Sequence, residues 1–184
     1  MPHVKELPEN LREMRKPQSN IGKKDRSSMN ETAAQSQVAP LQIGRDVVNI
    51  LPICAYARAL GVKVEDPSDL HVTLIWSRKP VNWSLPVFQP RDFPVIITPD
   101  QVTLGTLGDL AVLLIESAAL TSRQDKMRAA GAGSDWESYI AHITLGKVPA
   151  GGLSEIEPFN EIITLGHEYR KPAKLETSPK KERA

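Results

Sequence analysis

The sequence predicts one α+β domain between two polar ends, and three observations favour this fold class. About six short runs are rich in β-branched or alternating apolar residues, which is typical of strands. Only one stretch, over about 118–130, has the start, length and end of a helix. Residues 1–40 and 171–184 contain few large apolar side chains. We therefore predict a disordered N-terminal arm or linker, a domain at 41–170 and a basic disordered tail.

The composition of the chain restricts the class of protein. The 184-residue chain is 40% hydrophobic, enough for a core, and its net charge of +1 argues against duplex nucleic acid as a partner. Cys54 is the only cysteine, which excludes an internal disulfide and disfavours a cysteine-based zinc site. The apolar runs are too short to cross a membrane, and the N-terminus lacks a secretory apolar stretch. We expect a cytoplasmic protein without membrane contact, metal or other cofactor.

Local patterns along the chain predict the individual elements. Residues 47–59 alternate in polarity around Pro52 and predict a first strand. A second strand is expected from His71 to Ser77, followed by a proline-rich loop that lacks ladder donors. Ser117 is the expected N-cap of the helix, which ends before a glycine suited to the left-handed cap position. Further strands are expected at 93–98, at 101–108 and 109–117 as a hairpin, around His142, and at 161–169.

The most informative signal is a repeated His-x-Thr motif, at His71 and Thr73 and again at His142 and Thr144. On a strand, each His and its Thr point to the same face, while the residues between and after them point into a core. Two such hits among four histidines arise by chance in roughly one chain in ten of this composition. The shared apolar framing strengthens the signal because it fixes the same strand register twice.

This pattern suits phosphodiester cleavage. The reaction needs one proton removed from the incoming oxygen and another delivered to the departing oxygen. Two imidazoles, which ordinarily titrate near pH ~6.5, can serve as general base and general acid. The threonine hydroxyls can donate to the nonbridging oxygens. Neither role needs a metal, and the nearby acids lack a His-Glu-x-x-His spacing. The alternative is that the two histidines only form hydrogen bonds with neighbouring residues, and that the two threonines are there because threonine favours strands.

The other polar and aromatic candidates are less specific. His3 falls in the expected arm, and His167 lacks a Thr two residues on, so it is either a third polar group near the site or a surface residue. Trp83 and Trp136 lie in expected loops, where each could stack a base or cover the core. Trp76 falls opposite His71 by strand alternation, so we expect it in the core.

The two motifs and their surroundings resemble the 2H phosphoesterase superfamily, whose members carry a His-x-Thr/Ser motif on a central strand of each of two pseudo-symmetric lobes. More narrowly, residues 53–148, with DLHVTLIWSRKPVNW and the later RAAGAGSDWESYIAHITLGK, resemble the phage anti-CBASS nucleases. The resemblance implies a two-lobed, LigT-like fold with antiparallel sheets. It also implies metal-independent cleavage of a small cyclic di- or trinucleotide such as cyclic GMP-AMP. The catalytic residues it implies are His71, Thr73, His142 and Thr144.

The same resemblance carries over two substrate contacts and one departure. Tyr56 and Arg58 match an aromatic followed two residues later by Arg, which implies base stacking by Tyr56 and a phosphate or base contact by Arg58. A half-buried strand aromatic is the alternative for Tyr56. The family usually inserts a helix before the first motif, whereas only about a dozen residues separate Arg58 from His71. We therefore expect one lobe to be trimmed.

Several questions of function stay open at the level of sequence. The near-symmetric motifs do not say which histidine is the base, or whether water or a ribose 2′-hydroxyl attacks. A related activity is opening of RNA 2′,3′-cyclic phosphates, as in LigT-like enzymes. A different class is a non-catalytic cyclic-nucleotide-binding module, which the N-terminal arm could tether to a phage structural protein.

Overall fold

The computed structural model describes residues 38–134 and 138–173, which form one antiparallel seven-stranded sheet with two helices. The strand order is β3-β7-β1-β2-β6-β5-β4. The expected α+β class is confirmed, while the expected arm lies almost wholly, and the tail largely, outside the described residues. The elements are β1 (Val38–Val47), α1 (Ile50–Ala59), β2 (His71–Asn82), β3 (Val95–Ile97), β4 (Val102–Leu107), β5 (Leu110–Ile115), α2 (Ala118–Ala129), β6 (Ala141–Lys147) and β7 (Ile163–Pro172).

The centre of the sheet is built from two similar halves. In one, β1 leads through α1 into β2, and in the other, β5 leads through α2 into β6. The last strands of the two halves are neighbours, paired within the described residues at Val72 and Ile143. Each helix packs on the motif strand of the opposite half, α1 on β6 and α2 on β2. Because each helix packs on a strand of the other half, the two halves are held together, and the two motif strands lie at the centre of the fold.

The motif strands are anchored by the residues between and after each His-x-Thr pair. Val72 and Ile143 are fully buried, and Leu74 and Leu145 are almost so. Burying side chains of this size stabilises each strand by about 1.5–3 kcal/mol per residue. Moving either strand by one residue would bring its polar pair into the core, so burial fixes the face on which His and Thr stand.

Residues 47–59, predicted as a strand, are mostly helix. Ile53 and Ala57 of α1 are buried, as is Leu60 just after it, which is the spacing of one helix face. Pro52 lies in the first turn, where its missing N–H has no helical partner to lose. The family's helix before the first motif, which we expected to be missing, is therefore present as α1. The true first strand, β1, begins within the residues assigned to the arm.

The remaining elements follow the sequence more closely. The β4–β5 hairpin is confirmed, and α2 begins after Ser117, although that side chain makes no capping hydrogen bond. The helix ends as expected, with Gly131 at a φ of +100°. Trp83 is buried and donates its indole N–H to the Ala39 carbonyl, so it covers the core. No helix among residues 38–134 and 138–173 has the length and apolar character needed to cross a membrane.

A buried charged cluster, formed by Arg45, Arg123 and Glu168, connects β1, α2 and β7. Glu168 Oε1 lies 3.1 Å from Arg45 Nη2, and Glu168 Oε2 lies 2.8 Å from Arg123 Nη2. The terminal nitrogens of the two guanidinium groups also donate to four backbone carbonyls, those of Val87, Gln89, Phe93 and Gly166. The cluster therefore fastens the loop before β3 to the sheet and fixes β7 beside β1.

Candidate active site

The two His-x-Thr motifs meet across the pair Val72–Ile143. In an antiparallel pair, one step forward on one strand matches one step back on the other, so His71 stands opposite Thr144 and Thr73 opposite His142. Cβ atoms of directly opposite residues are ~5 Å apart, and those of diagonal neighbours ~7 Å. The two imidazoles are therefore diagonal neighbours on one face, with a threonine beside each. All four side chains line one cavity of about 260 Å³.

Both imidazoles are oriented in the same way. His71 Nδ1 lies 2.5 Å from the carbonyl oxygen of Asp69, and His142 Nδ1 lies 2.8 Å from that of Ile140. A carbonyl oxygen only accepts, so each Nδ1 carries the proton and donates it to the residue two positions earlier. Each Nε2 is then left as the atom that can take up or deliver a proton at the cavity.

Tyr139, in the loop before β6, connects the two motif strands, β2 and β6, by a hydrogen bond. Its hydroxyl donates to the backbone carbonyl of Thr73 at 3.2 Å. Burial raises the pKa of Tyr139 well above its usual value, so the phenol stays protonated and remains a donor. This bond ties the entry of the second motif strand to the first motif.

The loop between α1 and β2 forms an acidic rim on the cavity. Glu65, Asp66 and Asp69 line it together with the apolar Val64 and Leu70. The Asp66 carboxylate accepts from the Ser68 hydroxyl and backbone N–H, which lowers the pKa of Asp66. Glu65 is paired at the surface with Lys63, with 2.9 Å between Oε2 and Nζ, so part of the negative charge of the rim is balanced.

Tyr169 is a site residue that the sequence interpretation missed. It lies on β7, separated from the first motif strand by β1, and its ring meets the His71 ring edge-on at 6.2 Å between centroids. Gly44 of β1 pairs with both Tyr169 and Thr73, and the phenol passes directly over it. Burial, with the nearby charges of Asp46 and Asp69, raises the pKa of Tyr169 to about 12. Its hydroxyl is therefore a protonated donor at neutral pH.

Replacing Gly44 with alanine is expected to displace Tyr169 from His71. The added Cβ would stand 2.5 Å from the phenol oxygen and 3.0 Å from the Val72 carbonyl oxygen. We expect a loss of about 1–3 kcal/mol in unfolding free energy. The His71 ring protons should also lose the ring-current shift caused by Tyr169, as measured by NMR.

A double-mutant cycle isolates this contact. In a Tyr169→Ala background, the cost of Gly44→Ala should shrink because the main clash is gone. Gly151→Ala is the matched control, since a Cβ there meets nothing within 4 Å and should leave stability almost unchanged. An equal cost of Gly44→Ala in both backgrounds would show that the phenol does not rest on this glycine.

Trp76 lies on the motif face of the sheet, not in the core as expected. The pairing of β1 with β2 shifts between Ile43 and Gly44, which leaves Leu74 as an extra residue on β2. A bulge of this kind reverses the alternation beyond it. Trp76 is half-buried, with the Arg78 guanidinium over its ring at 5.0 Å.

The two predicted substrate contacts lie on α1, outside the histidine cavity. The ring of Tyr56 packs edge-on against Phe159 at 5.2 Å, and burial raises its pKa. Arg58 is exposed and lines a neighbouring depression with Lys63, which adjoins the histidine cavity through Val64. Base stacking by Tyr56 and a phosphate or base contact by Arg58 thus remain predictions.

The other candidates do not join the motif residues. His167 pairs with Asp92 at the surface, with 2.6 Å between Nδ1 and Oδ1. Trp136 lies outside the described residues. Within 38–134 and 138–173, no three His, Cys, Asp or Glu side chains are arranged to hold a metal ion.

The fold and the paired motifs define a 2H phosphoesterase-like protein. A solved structure described as a phosphoesterase aligns with a TM-score of 0.51 at 17% identity, covering 73% of this chain and 87% of that chain. The likeness shows the fold, and with it the expected two-lobed architecture is confirmed.

The sequence identifies the family more narrowly. Residues 42–180 match the family described as Anti-CBASS protein Acb1, and the chain belongs to this family. Relatives named Anti-CBASS protein Acb1 from Sphingomonas paeninsulae and Caulobacter sp. (strain RHG1) are each 31% identical, over 70% and 74% of this chain. The matches cover 22% and 23% of those relatives, so this chain spans less than a quarter of their length.

Proposed function

We propose that this chain is a metal-independent phosphodiesterase that opens cyclic di- or trinucleotide signals such as cyclic GMP-AMP, and so counters CBASS antiphage immunity in a host cell. The observation that carries the proposal is the matched orientation of His71 and His142 around one cavity that also holds Thr73 and Thr144. A module that only binds a phosphate has no need for two imidazoles with the same free nitrogen. Membership of the Anti-CBASS protein Acb1 family supports the class of substrate.

The geometry supports a single displacement at phosphorus. The Nε2 of one neutral histidine takes the proton of the attacking hydroxyl or water while its oxygen bonds to phosphorus. The Nε2–H of the other, protonated histidine delivers its proton to the leaving oxygen as the P–O bond breaks. The hydroxyls of Thr73 and Thr144 donate to the two nonbridging oxygens, where negative charge increases in the transition state. Protons and charge balance without a metal ion.

Turnover with a chelator present tests the proposal directly. We expect purified protein with EDTA to convert cyclic GMP-AMP into a linear product, followed by chromatography. RNA ending in a 2′,3′-cyclic phosphate is the comparison substrate, and faster opening of these ends would favour the LigT-like activity. Cyclic GMP-AMP that is bound but unchanged after long incubation would instead identify a binding module. A substrate without the ribose 2′-hydroxyls identifies the nucleophile, since water attack survives their removal.

The pH dependence of turnover should have two limbs. One imidazole must be neutral and the other protonated, so kcat/KM should rise and then fall as pH increases across the range in which imidazoles titrate. The measurement is the initial rate from pH 5 to 8 at constant ionic strength. A flat profile over this range would argue strongly against a pair of histidines.

A further inference from the structure

A second cavity opens on the other side of the second motif. Its volume is about 580 Å³, more than twice that of the histidine cavity, and His142 and Thr144 line both. The two cavities therefore meet at the atoms expected to contact the reacting phosphate. The part of the substrate attached to the phosphate on this side must therefore occupy the larger cavity.

The walls of this cavity are apolar, unlike the acidic rim on the His71 side. The walls come from the β4–β5 hairpin and from the residues just before β6. Apart from the motif residues, Ser138 is the polar residue among them. The apolar residues are Leu107, Leu110, Val112 and Ile140. Val112 pairs directly with Thr144 and is fully buried, so it forms a floor beside the motif. These four residues are not part of the main hydrophobic core.

The hairpin geometry explains why these side chains are available. Leu107 and Leu110 face each other across the turn, where Gly108 has a φ of +62°. Both are only half-buried, and Ile140 is 49% exposed. Together, Ile140, Leu107 and Leu110 form an apolar surface that no other described residue covers.

We propose that this apolar cavity is a nucleobase subsite, which holds the base of the nucleotide joined to the scissile phosphate on the His142 side. The inference rests on the proposed function. A nucleobase is a flat ring system with apolar faces and polar edges, and it fits between aliphatic walls with one hydroxyl at the margin. The acidic loop on the opposite side offers no comparable wall. In the part of the chain that the structure describes, the His142 side alone borders a cavity with these aliphatic walls, so the subsite gives the near-symmetric motif pair a direction.

The direct test is methyl NMR on the wild-type protein, which does not require turnover. Titration with adenosine 5′-monophosphate should shift the methyl signals of Leu107, Leu110 and Ile140 through the ring current of the base. Ribose 5-phosphate, which has the phosphate and sugar but no base, should leave them unchanged. Equal shifts with both ligands, or none with millimolar adenosine 5′-monophosphate, would overturn the subsite.

Kinetics provide the second readout. Ile140→Ala and Leu110→Ala should each raise KM for cyclic GMP-AMP roughly tenfold, as expected for loss of one apolar contact, with a smaller change in kcat. Ile96→Ala is the matched control, since Ile96 is 52% exposed on the edge strand β3 at the far end of the sheet. Wild-type turnover combined with an unchanged KM in both variants refutes the subsite and leaves the phosphodiesterase intact. Absence of wild-type turnover refutes the phosphodiesterase, and the NMR titration still decides the subsite.

Discussion

Alanine in place of either motif histidine is expected to lower turnover of cyclic GMP-AMP by roughly 10² to 10⁴ fold, the usual contribution of general acid–base catalysis. His71 and His142 each present one free Nε2, so removing either leaves the reaction without a proton acceptor or without a donor. Because the two act in the same step, the double variant should be little worse than the single variants. Initial rates with substrate in excess measure the effect.

The matched control is His167→Ala. This histidine is exposed, pairs with Asp92 and is not among the residues lining the histidine cavity. Its removal should leave turnover near the wild-type value. Thermal unfolding should show that the His71 and His142 variants remain folded, since both side chains are only partly buried. Near-wild-type turnover by a folded His142→Ala protein would refute the paired mechanism.

Glu168→Gln is expected to cause the largest loss of stability, about 3–5 kcal/mol. The Glu168 carboxylate is fully buried between the guanidinium groups of Arg45 and Arg123, and it is the only carboxylate that contacts them among the described residues. Burial lowers the pKa of Arg45, and the charge of Glu168 is the main influence opposing that shift. A neutral amide of the same shape leaves two buried cations facing each other.

Urea unfolding measures this effect. The midpoint should fall with little change in slope if the variant still unfolds in one step. Glu161→Gln, at an exposed position shortly before β7, is the control and should stay within about 0.5 kcal/mol of the wild type. Because Glu168 directly precedes Tyr169, the variant should also loosen the ring beside His71. A stability equal to that of Glu161→Gln would mean that the backbone carbonyls alone satisfy the two arginines.

The catalytic candidates could be predicted from sequence because their geometry is local. Strand alternation places each His beside its Thr, and the buried Val72 and Ile143 fix that face in both motifs. The β4–β5 hairpin and α2 could be predicted for the same reason, since turn glycines and cap residues act over a few positions.

The segment 47–59 shows where local patterns fail. Its apolar residues fit both a strand alternation and a helix face, and only packing of Ile53 and Ala57 against the sheet decides between them. β1 was harder still, because Pro40 and Gly44 weaken its strand signal and its partners lie far away in sequence.

Trp76 and Tyr169 depend on pairings between distant strands. The bulge that turns Trp76 onto the motif face exists only because β1 pairs with β2 in a shifted register. Tyr169 reaches His71 only because β7 lies next to β1. One signal could have pointed to it: an isolated glycine inside a strand, here Gly44, often marks a close approach by another group.

Among residues 38–134 and 138–173, the edge-on contact of Tyr169 with His71 has no counterpart at His142, which instead borders the aliphatic hairpin. Two nearly interchangeable proton carriers thus stand in unlike microenvironments. We expect the regiochemistry of ring opening, meaning which ester oxygen departs, to be set by these flanking walls rather than by the duplicated motif. If the residues beside His71 were exchanged with those beside His142 and the four motif residues were kept, a different ester bond would be cleaved and the activity would remain.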